Sequence, residues 1–197
     1  MFLNRMLPAR SCKPAVYQQT ATLFNAVQRK RDQEIAEEKA KQPIALPPAK
    51  RLAIVTCMDA RINPFKQLGF KEGDAHIIRN AGGMAKDALR SLIISQRLLG
   101  TREIAVYHHT GCGMVTFRGS ELKKIVKWSK PDDPSCAQQV DAIDFLEFTN
   151  LEQSVKDDVE FLKRSPLIME GTKITGWIHD INTGEVHHFV PDQSSHF

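Results

Sequence analysis

Short apolar runs alternate with segments of helical periodicity from residue 52 onward, and this alternation constrains the fold more than any other feature of the sequence. Runs at residues 52–57, 74–79 and 103–108 have the length and β-branched content of buried strands. Strands that alternate with helices are typical of a parallel sheet with crossover helices. The sequence therefore predicts an α/β domain with a parallel β-sheet core flanked by helices.

The clearest helical pattern lies between the second and third of these runs. One face of a helix is indicated by the spacing of Leu89, Leu92, Ile93, Gln96 and Leu99. The pattern stops at Gly100, and glycine is favoured just beyond the last helical turn because it adopts left-handed backbone angles without strain. We therefore expect the helix to end at this glycine.

The C-terminal part of the chain predicts one more helix and then a strand and hairpin. Thr149 and Glu152 have the spacing of a capping box, so a helix should begin here and end before Pro166. Runs at residues 173–180 and 185–190 flank an Asn-Thr-Gly sequence that suits a tight turn. The parallel core is therefore expected to carry a C-terminal strand and hairpin.

Residues 1–48 are predicted to be a basic N-terminal arm, and residues 49–197 a folded α/β domain. No acidic residue precedes Asp32, and residues 1–51 contain ten Lys and Arg but only four Asp and Glu. The basic surplus behind the net charge of +4 therefore belongs to the arm. A helix is expected from about residue 20 to residue 41, and the prolines that follow it mark the entrance to the body.

The composition indicates the cellular compartment and the classes of partner to expect. Four cysteines spread along the chain are too few for a disulfide framework and suit a reducing compartment, so we expect the cytoplasm. The acid-free basic start is also typical of a mitochondrial presequence, which makes the matrix the alternative, reached through residues 1–31. No apolar run approaches the roughly 20 residues needed to span a bilayer. The body has no basic patch of the kind that binds nucleic acid, so neither membrane nor nucleic acid is an expected partner.

Two of the predicted strands end in residues that bind soft divalent metals. The first ends at Cys57, and the third leads into His109 and Cys112, while His108 is expected to fill the strand end. Open α/β sheets build their sites at the carboxyl ends of strands, so these side chains can meet if the two strands are neighbours. A Cys, His, Cys set leaves a tetrahedral zinc one open position, as in catalytic sites. Taken alone, each cysteine is equally compatible with a small buried apolar side chain.

Three motifs in this order resemble those of the beta-class carbonic anhydrases. They are Cys-Met-Asp-Ala-Arg at 57–61, Arg-Asn-Ala-Gly-Gly at 79–83 and His-Thr-Gly-Cys-Gly at 109–113. The later Gly-Trp-Ile-His-Asp sequence at 176–180 is similar to the short bacterial and fungal members of that class. The resemblance covers about residues 51–190 and leaves the arm outside it.

The resemblance implies one Zn²⁺ per chain, held by Cys57, His109 and Cys112, with Asp59 and Arg61 as a catalytic dyad. It implies zinc-dependent, reversible hydration of carbon dioxide to bicarbonate and a proton. The fold that it implies is a parallel sheet flanked by helices, assembled into a homo-oligomer that is a dimer or a dimer of dimers. The expected small-molecule partners are therefore carbon dioxide and bicarbonate.

Other functions remain open at this point. The same fold and ligands can hydrolyse carbon disulfide or carbonyl sulfide, and a non-catalytic zinc or thiol-sensing protein could use the same three residues. The second alternative lacks an evident fourth protein ligand unless Asp59 supplies one. Two positions depart from the family pattern, with Gly111 where short members often have Asp and His179 where an aromatic residue is usual. Neither is a predicted ligand, so both bear on the substrate rather than on the metal.

Overall fold

The computed structural model describes residues 22–32 and 44–191. The chain divides into two units, Met1–Pro43 and Ile44–Phe197. In the first unit, residues 22–32 form helix α1, which lies within the helix predicted over residues 20–41; the remainder of that prediction lies outside the described residues. No helix in the described part of the chain is long and apolar enough to cross a membrane.

The second unit contains the sheet and the helices that flank it. Its strands are β1 (Leu52–Cys57), β2 (Ala75–Asn80), β3 (Glu103–His109), β4 (Lys173–His179) and β5 (Val186–Val190). Its α-helices are α2 (Pro64–Leu68), α3 (Ala85–Leu99), α4 (Gly119–Ser129), α5 (Pro134–Asp141) and α6 (Leu151–Arg164). Single 3₁₀ turns at Ala81–Gly83 and Gly113–Val115 follow β2 and β3.

The five strands form one sheet in the order β2-β1-β3-β4-β5. The first four run parallel and β5 pairs antiparallel with β4, which confirms the predicted parallel core with a C-terminal hairpin. Because parallel strands end at the same edge of a sheet, Cys57, Asn80, His109 and His179 all lie at the carboxyl edge.

One face of the sheet packs against α3 and α6. Leu92 of α3 and Val155 of α6 are completely buried in this layer, together with the inward side chains of β1 and β3. A Cβ atom added to Gly176 of β4 would lie 2.6 Å from Val155 Cγ1, so the glycine permits the close approach of α6 to the sheet. The predicted end of α3 is confirmed, because Gly100 caps it in the left-handed conformation.

The opposite face of the sheet carries a second apolar cluster. Leu52, Ile54 and Tyr107 are buried there, and Leu68 and Trp177 are half-buried beside them. Residues of this cluster line an apolar cavity on the face opposite to α3 and α6. The carboxyl edge of the sheet, where β1 and β3 end, borders both faces.

The capping residue of α6 differs from the prediction. Asn150 accepts a hydrogen bond from the Gln153 backbone N–H at 2.8 Å and is the N-cap, so the predicted capping box at Thr149 and Glu152 is wrong. The helix begins at Leu151, and the cap is the residue immediately before it. The helix ends at Arg164, before Pro166 as predicted.

Candidate metal centre

Cys57, His109 and Cys112 converge at the carboxyl edge of the sheet. Cys57 ends β1 and His109 ends β3, and a left-handed turn at Gly111 (φ 63°) brings Cys112 back towards them. One nitrogen or sulfur atom from each residue lies within 4.8 Å of the others, and all three side chains are buried. No other group of three His, Cys, Asp or Glu side chains among the residues that the structure describes meets in this way.

The histidine of this group has a buried nitrogen without a partner. His109 Nδ1 lies 2.9 Å from the Thr110 carbonyl oxygen, which can only accept, so Nδ1 carries the proton and Nε2 has a free lone pair. His109 Nε2 is buried and makes no hydrogen bond. A buried polar atom left unpaired costs free energy, and a metal ion bound by the lone pair would remove that cost. The donor set of two sulfurs and one nitrogen suits zinc.

The two cysteines share a hydrogen bond, since their Sγ atoms are 3.9 Å apart. This contact lowers the pKa of Cys57, against the effect of burial. The same contact, together with burial, raises the pKa of Cys112. The site therefore already favours one thiolate, which is the form of cysteine that binds metals.

Asp59 is held beside this group by Arg61. The guanidinium donates to both carboxylate oxygens, with Nε to Oδ1 at 2.9 Å and Nη2 to Oδ2 at 2.6 Å. The Arg61 backbone N–H also donates to Oδ1, and Nη2 donates to the Gly111 carbonyl at 2.8 Å. These bonds hold the pKa of Asp59 well below its usual range. Asp59 Oδ2 lies 3.8 Å from His109 Nε2, so a charged carboxylate borders the three buried side chains.

Arg79 is a site residue whose role the sequence did not reveal. Its Nε donates to the Cys57 carbonyl at 2.9 Å and its Nη2 to the Asp59 carbonyl at 2.6 Å. It therefore fixes the backbone between the first cysteine and the dyad. The available signal was its place near the end of β2, which pairs with β1 in a register that sets Thr56 opposite Arg79.

The two departures from the family pattern both lie at the site. Gly111 adopts a positive φ and offers its carbonyl oxygen to Arg61. His179 pairs with His109 across β3 and β4, and its Nε2 lies 2.9 Å from Gln67 Nε2. Burial lowers the pKa of His179, so the residue stays neutral at physiological pH. A neutral His179 accepts the Gln67 N–H through Nε2, because an amide nitrogen can only donate.

Open, mostly parallel sheets bind their ligands at the carboxyl ends of their strands, which is where these groups lie. The family model described as carbonic anhydrase matches residues 52–186. Beta-carbonic anhydrase 1 of Mycobacterium tuberculosis is 38% identical over 152 residues, which cover 77% of this chain and 89% of the relative. The solved structure of a carbonic anhydrase from Glaciozyma antarctica has a TM-score of 0.73 and 44% identity, covering 94% of this chain and 100% of that one.

A carbon disulfide hydrolase from Acidianus is also similar, at 36% identity over 156 residues that cover 70% of this chain and 76% of the relative. The chain therefore belongs to the carbonic anhydrase family, in its beta class. The resemblance of its three motifs to that class is confirmed. The similar proteins include both carbonic anhydrases and a carbon disulfide hydrolase, so membership alone does not select the substrate.

Substitution of the three converging residues should abolish metal binding. Cys57→Ser, His109→Ala and Cys112→Ser each remove one ligand, and no other cysteine or histidine among the described residues belongs to the converging group. We expect about one zinc per chain in the parent protein and a sharp fall in each variant, measured by elemental analysis after dialysis.

Cys136→Ser is the matched control, because Cys136 is a free, half-buried cysteine outside the metal-binding group. It should retain the zinc content of the parent. Full zinc occupancy in both Cys57→Ser and Cys112→Ser would contradict the assignment of these ligands.

Proposed function

We propose that this chain is a zinc-dependent enzyme that interconverts carbon dioxide and bicarbonate. The observation that carries the proposal is the buried Cys57, His109 and Cys112 group bordered by an arginine-fixed Asp59 carboxylate. Membership of the beta-carbonic anhydrase family supports zinc as the metal and carbon dioxide as the substrate. Bound at this group, zinc would supply the Lewis acidity that generates a nucleophile from water near neutral pH.

The charges of the ligands set the pH at which this activation should occur. Two thiolates carry the same amount of charge as Zn²⁺ and cancel it, whereas three neutral histidines leave it intact. The Lewis acidity available to this site is therefore lower than at a three-histidine site, where water is activated near pH 7. We expect activity to rise from neutral to mildly alkaline pH.

Asp59 acts as a fixed hydrogen-bond acceptor in this proposal. Because Arg61 holds the pKa of Asp59 well below its usual range, the carboxylate is ionised at every pH at which the enzyme is assayed. An ionised carboxylate accepts hydrogen bonds and donates none. It can therefore orient the attacking nucleophile by accepting a hydrogen bond from it. Loss of activity towards acidic pH should therefore not come from protonation of Asp59.

Hydrolysis of carbon disulfide or carbonyl sulfide is the second candidate function. These molecules are linear like carbon dioxide and would use the same group of side chains. The similarity to carbon disulfide hydrolases at 36% identity favours keeping this candidate. A non-catalytic zinc or thiol-sensing role is the weaker alternative, since Asp59 is the nearest further donor and Arg61 occupies both of its oxygens.

We also propose that the chain works as a homo-oligomer. The apolar cavity on the sheet face opposite to α3 and α6 is lined by the half-buried side chains of Leu68, Phe70 and Trp177. Apolar surface of this kind gains free energy when a second copy covers it. A dimer or a dimer of dimers formed through this face would place the carboxyl edge of the sheet close to the neighbouring copy.

A pair of assays on the zinc-loaded protein tests the substrate. We expect rapid hydration of carbon dioxide in a stopped-flow pH-indicator assay, and no sulfide release from carbon disulfide or carbonyl sulfide. The same protein stripped by a chelator is the control and should be inactive. Sulfide release without carbon dioxide hydration would contradict the proposal and support the second candidate. A zinc-loaded protein without either activity would contradict both and support the non-catalytic role.

Removal of Arg61 should convert Asp59 from an orienting group into a competitor for the metal. Arg61→Ala removes the guanidinium bonds from both carboxylate oxygens and frees Oδ2, which lies 3.8 Å from His109 Nε2. We expect the variant to keep its zinc, to lose nearly all activity, and to show an Asp59 oxygen as fourth zinc ligand in a crystal structure. Arg97→Ala, at an exposed arginine in the last turn of α3, is the matched control and should be as active as the parent.

An active Arg61→Ala enzyme whose Asp59 stays off the zinc would show that the dyad does not control access to the metal. That outcome would leave the ligand assignment intact, because the elemental analysis tests it separately.

A further inference from the structure

A buried polar cluster lies on the helix-packed side of the sheet, outside the group of converging ligands. It consists of His108 in β3 with Ser154 and Asp158 in α6, whose exposed fractions are 1%, 4% and 4%. Because side chains alternate along a strand, His108 and its neighbour His109 point to opposite faces of the sheet. Buried polar groups are almost always hydrogen-bonded. The hydrogen bonds of this cluster therefore show which segments of the chain it connects.

The histidine in this cluster is satisfied at both ring nitrogens. His108 Nε2 lies 3.1 Å from the Gly83 carbonyl oxygen and 3.3 Å from Asp158 Oδ2, and both of these oxygens are acceptors. Nε2 therefore carries the proton, and Nδ1 accepts the hydroxyl of Ser154 at 2.9 Å. The ring is fixed in one tautomer and one orientation by groups from two different helical segments.

Asp158 hydrogen-bonds to the same segment at a second position. Its Oδ2 accepts the backbone N–H of Ala85, the first residue of α3, at 2.9 Å. The segment from Gly83 to Ala85 is therefore bonded to β3 through His108 and to α6 through Asp158. Two buried hydrogen bonds to adjacent backbone groups leave this turn little freedom to move.

The turn held in this way packs directly against the first cysteine. A Cβ atom at Gly83 would lie 2.8 Å from the Thr56 carbonyl carbon and 2.9 Å from the Cys57 nitrogen, so the two backbones are in van der Waals contact. Cys57 carries one of the three converging ligand atoms, so the turn rests on the backbone of a candidate ligand. A displacement of the turn would move that backbone and the sulfur attached to it.

We propose that His108, Ser154 and Asp158 are positioning residues, which hold the Gly82–Gly83 turn against Cys57 and so fix where its sulfur lies relative to His109 and Cys112. Groups outside the ligand set that orient a ligand also tune a bound metal through it. Loss of the cluster would let the Cys57 sulfur shift and would change its bond to the metal. The inference rests on the proposed metal site and adds three residues to it, none of which touches the metal.

The cobalt form of the full chain provides a readout apart from activity, because the sulfur-to-cobalt charge-transfer absorption reports the bond between sulfur and the metal. His108→Leu removes every hydrogen bond of the ring. We expect its absorption band and the pH profile of the zinc form to shift from those of the parent, and the activity of the zinc form at pH 7 to fall about 10- to 100-fold, the usual range for loss of such an outer group.

His76→Leu is the matched control. His76 is a partly buried histidine of β2 whose Nδ1 pairs with the Ser95 hydroxyl at 2.7 Å, and neither residue takes part in the metal-binding group. Its loss should lower the melting temperature while leaving the cobalt band and the pH profile where they are in the parent. Comparison of the two variants separates loss of a histidine–serine bond from an effect on the sulfur.

A folded His108→Leu protein with the cobalt band and the pH profile of the parent would overturn the inference and leave the proposed function standing. If His108→Leu does not fold, Ser154→Ala decides, because it removes only the hydroxyl that fixes the ring. A shift of its cobalt band from that of the parent would support the inference, and an unchanged band would contradict it. Failure of the parent itself to bind cobalt or zinc would overturn the metal centre and this inference together.

Discussion

The parallel pairing of β1 with β3 is the constraint on which the site depends. Its register sets Thr56 opposite Tyr107, so the residues that follow, Cys57 and the His109 to Cys112 turn, meet at one edge although they are about fifty residues apart in sequence. A slip of one residue would turn every side chain of a strand to the other face. The burial of both faces fixes the register, since Ile54 and Val55, which point to opposite sides, are both completely buried.

Backbone geometry and charged side chains together build the site at this edge of the sheet. Gly83 brings the turn after β2 into contact with Cys57, and Gly111 turns the chain so that Cys112 faces the same point. Arg61 and Arg79 then fix the segment between Cys57 and Asp59 through bonds to its carboxylate and its carbonyl groups. The segments that carry the candidate ligands are therefore held in place by bonds among the chain's own residues.

The sequence predicted the strands to within one residue at either end, because their apolar runs are short, β-branched and bounded by polar residues. It predicted no helix for α2, α4 or α5. The first and last of these have only five and eight residues, and each begins at a proline behind a side-chain cap, Asn63 and Asp133. Helices this short draw their stability from tertiary packing, which periodicity does not reveal.

The convergence of Cys57, His109 and Cys112 was predictable, because parallel strands end at one edge and the motifs mark which ends matter. The role of His108 was not. The sequence favoured a residue that simply fills the strand end, and its bonds to Gly83 and Ser154 join segments that only the placement of α6 beside β3 brings together. Buried polar pairs of this kind carry no local signal in the sequence.

X-ray absorption at the zinc edge of the metal-loaded full chain tests the central claim most directly, because it counts the atoms around the metal without assuming which residues supply them. The account predicts two sulfur atoms at about 2.3 Å and the remaining ligands, nitrogen and oxygen, at about 2.0 to 2.1 Å. A shell of four sulfur atoms, or a shell with no sulfur, would contradict an open site built from Cys57, His109 and Cys112.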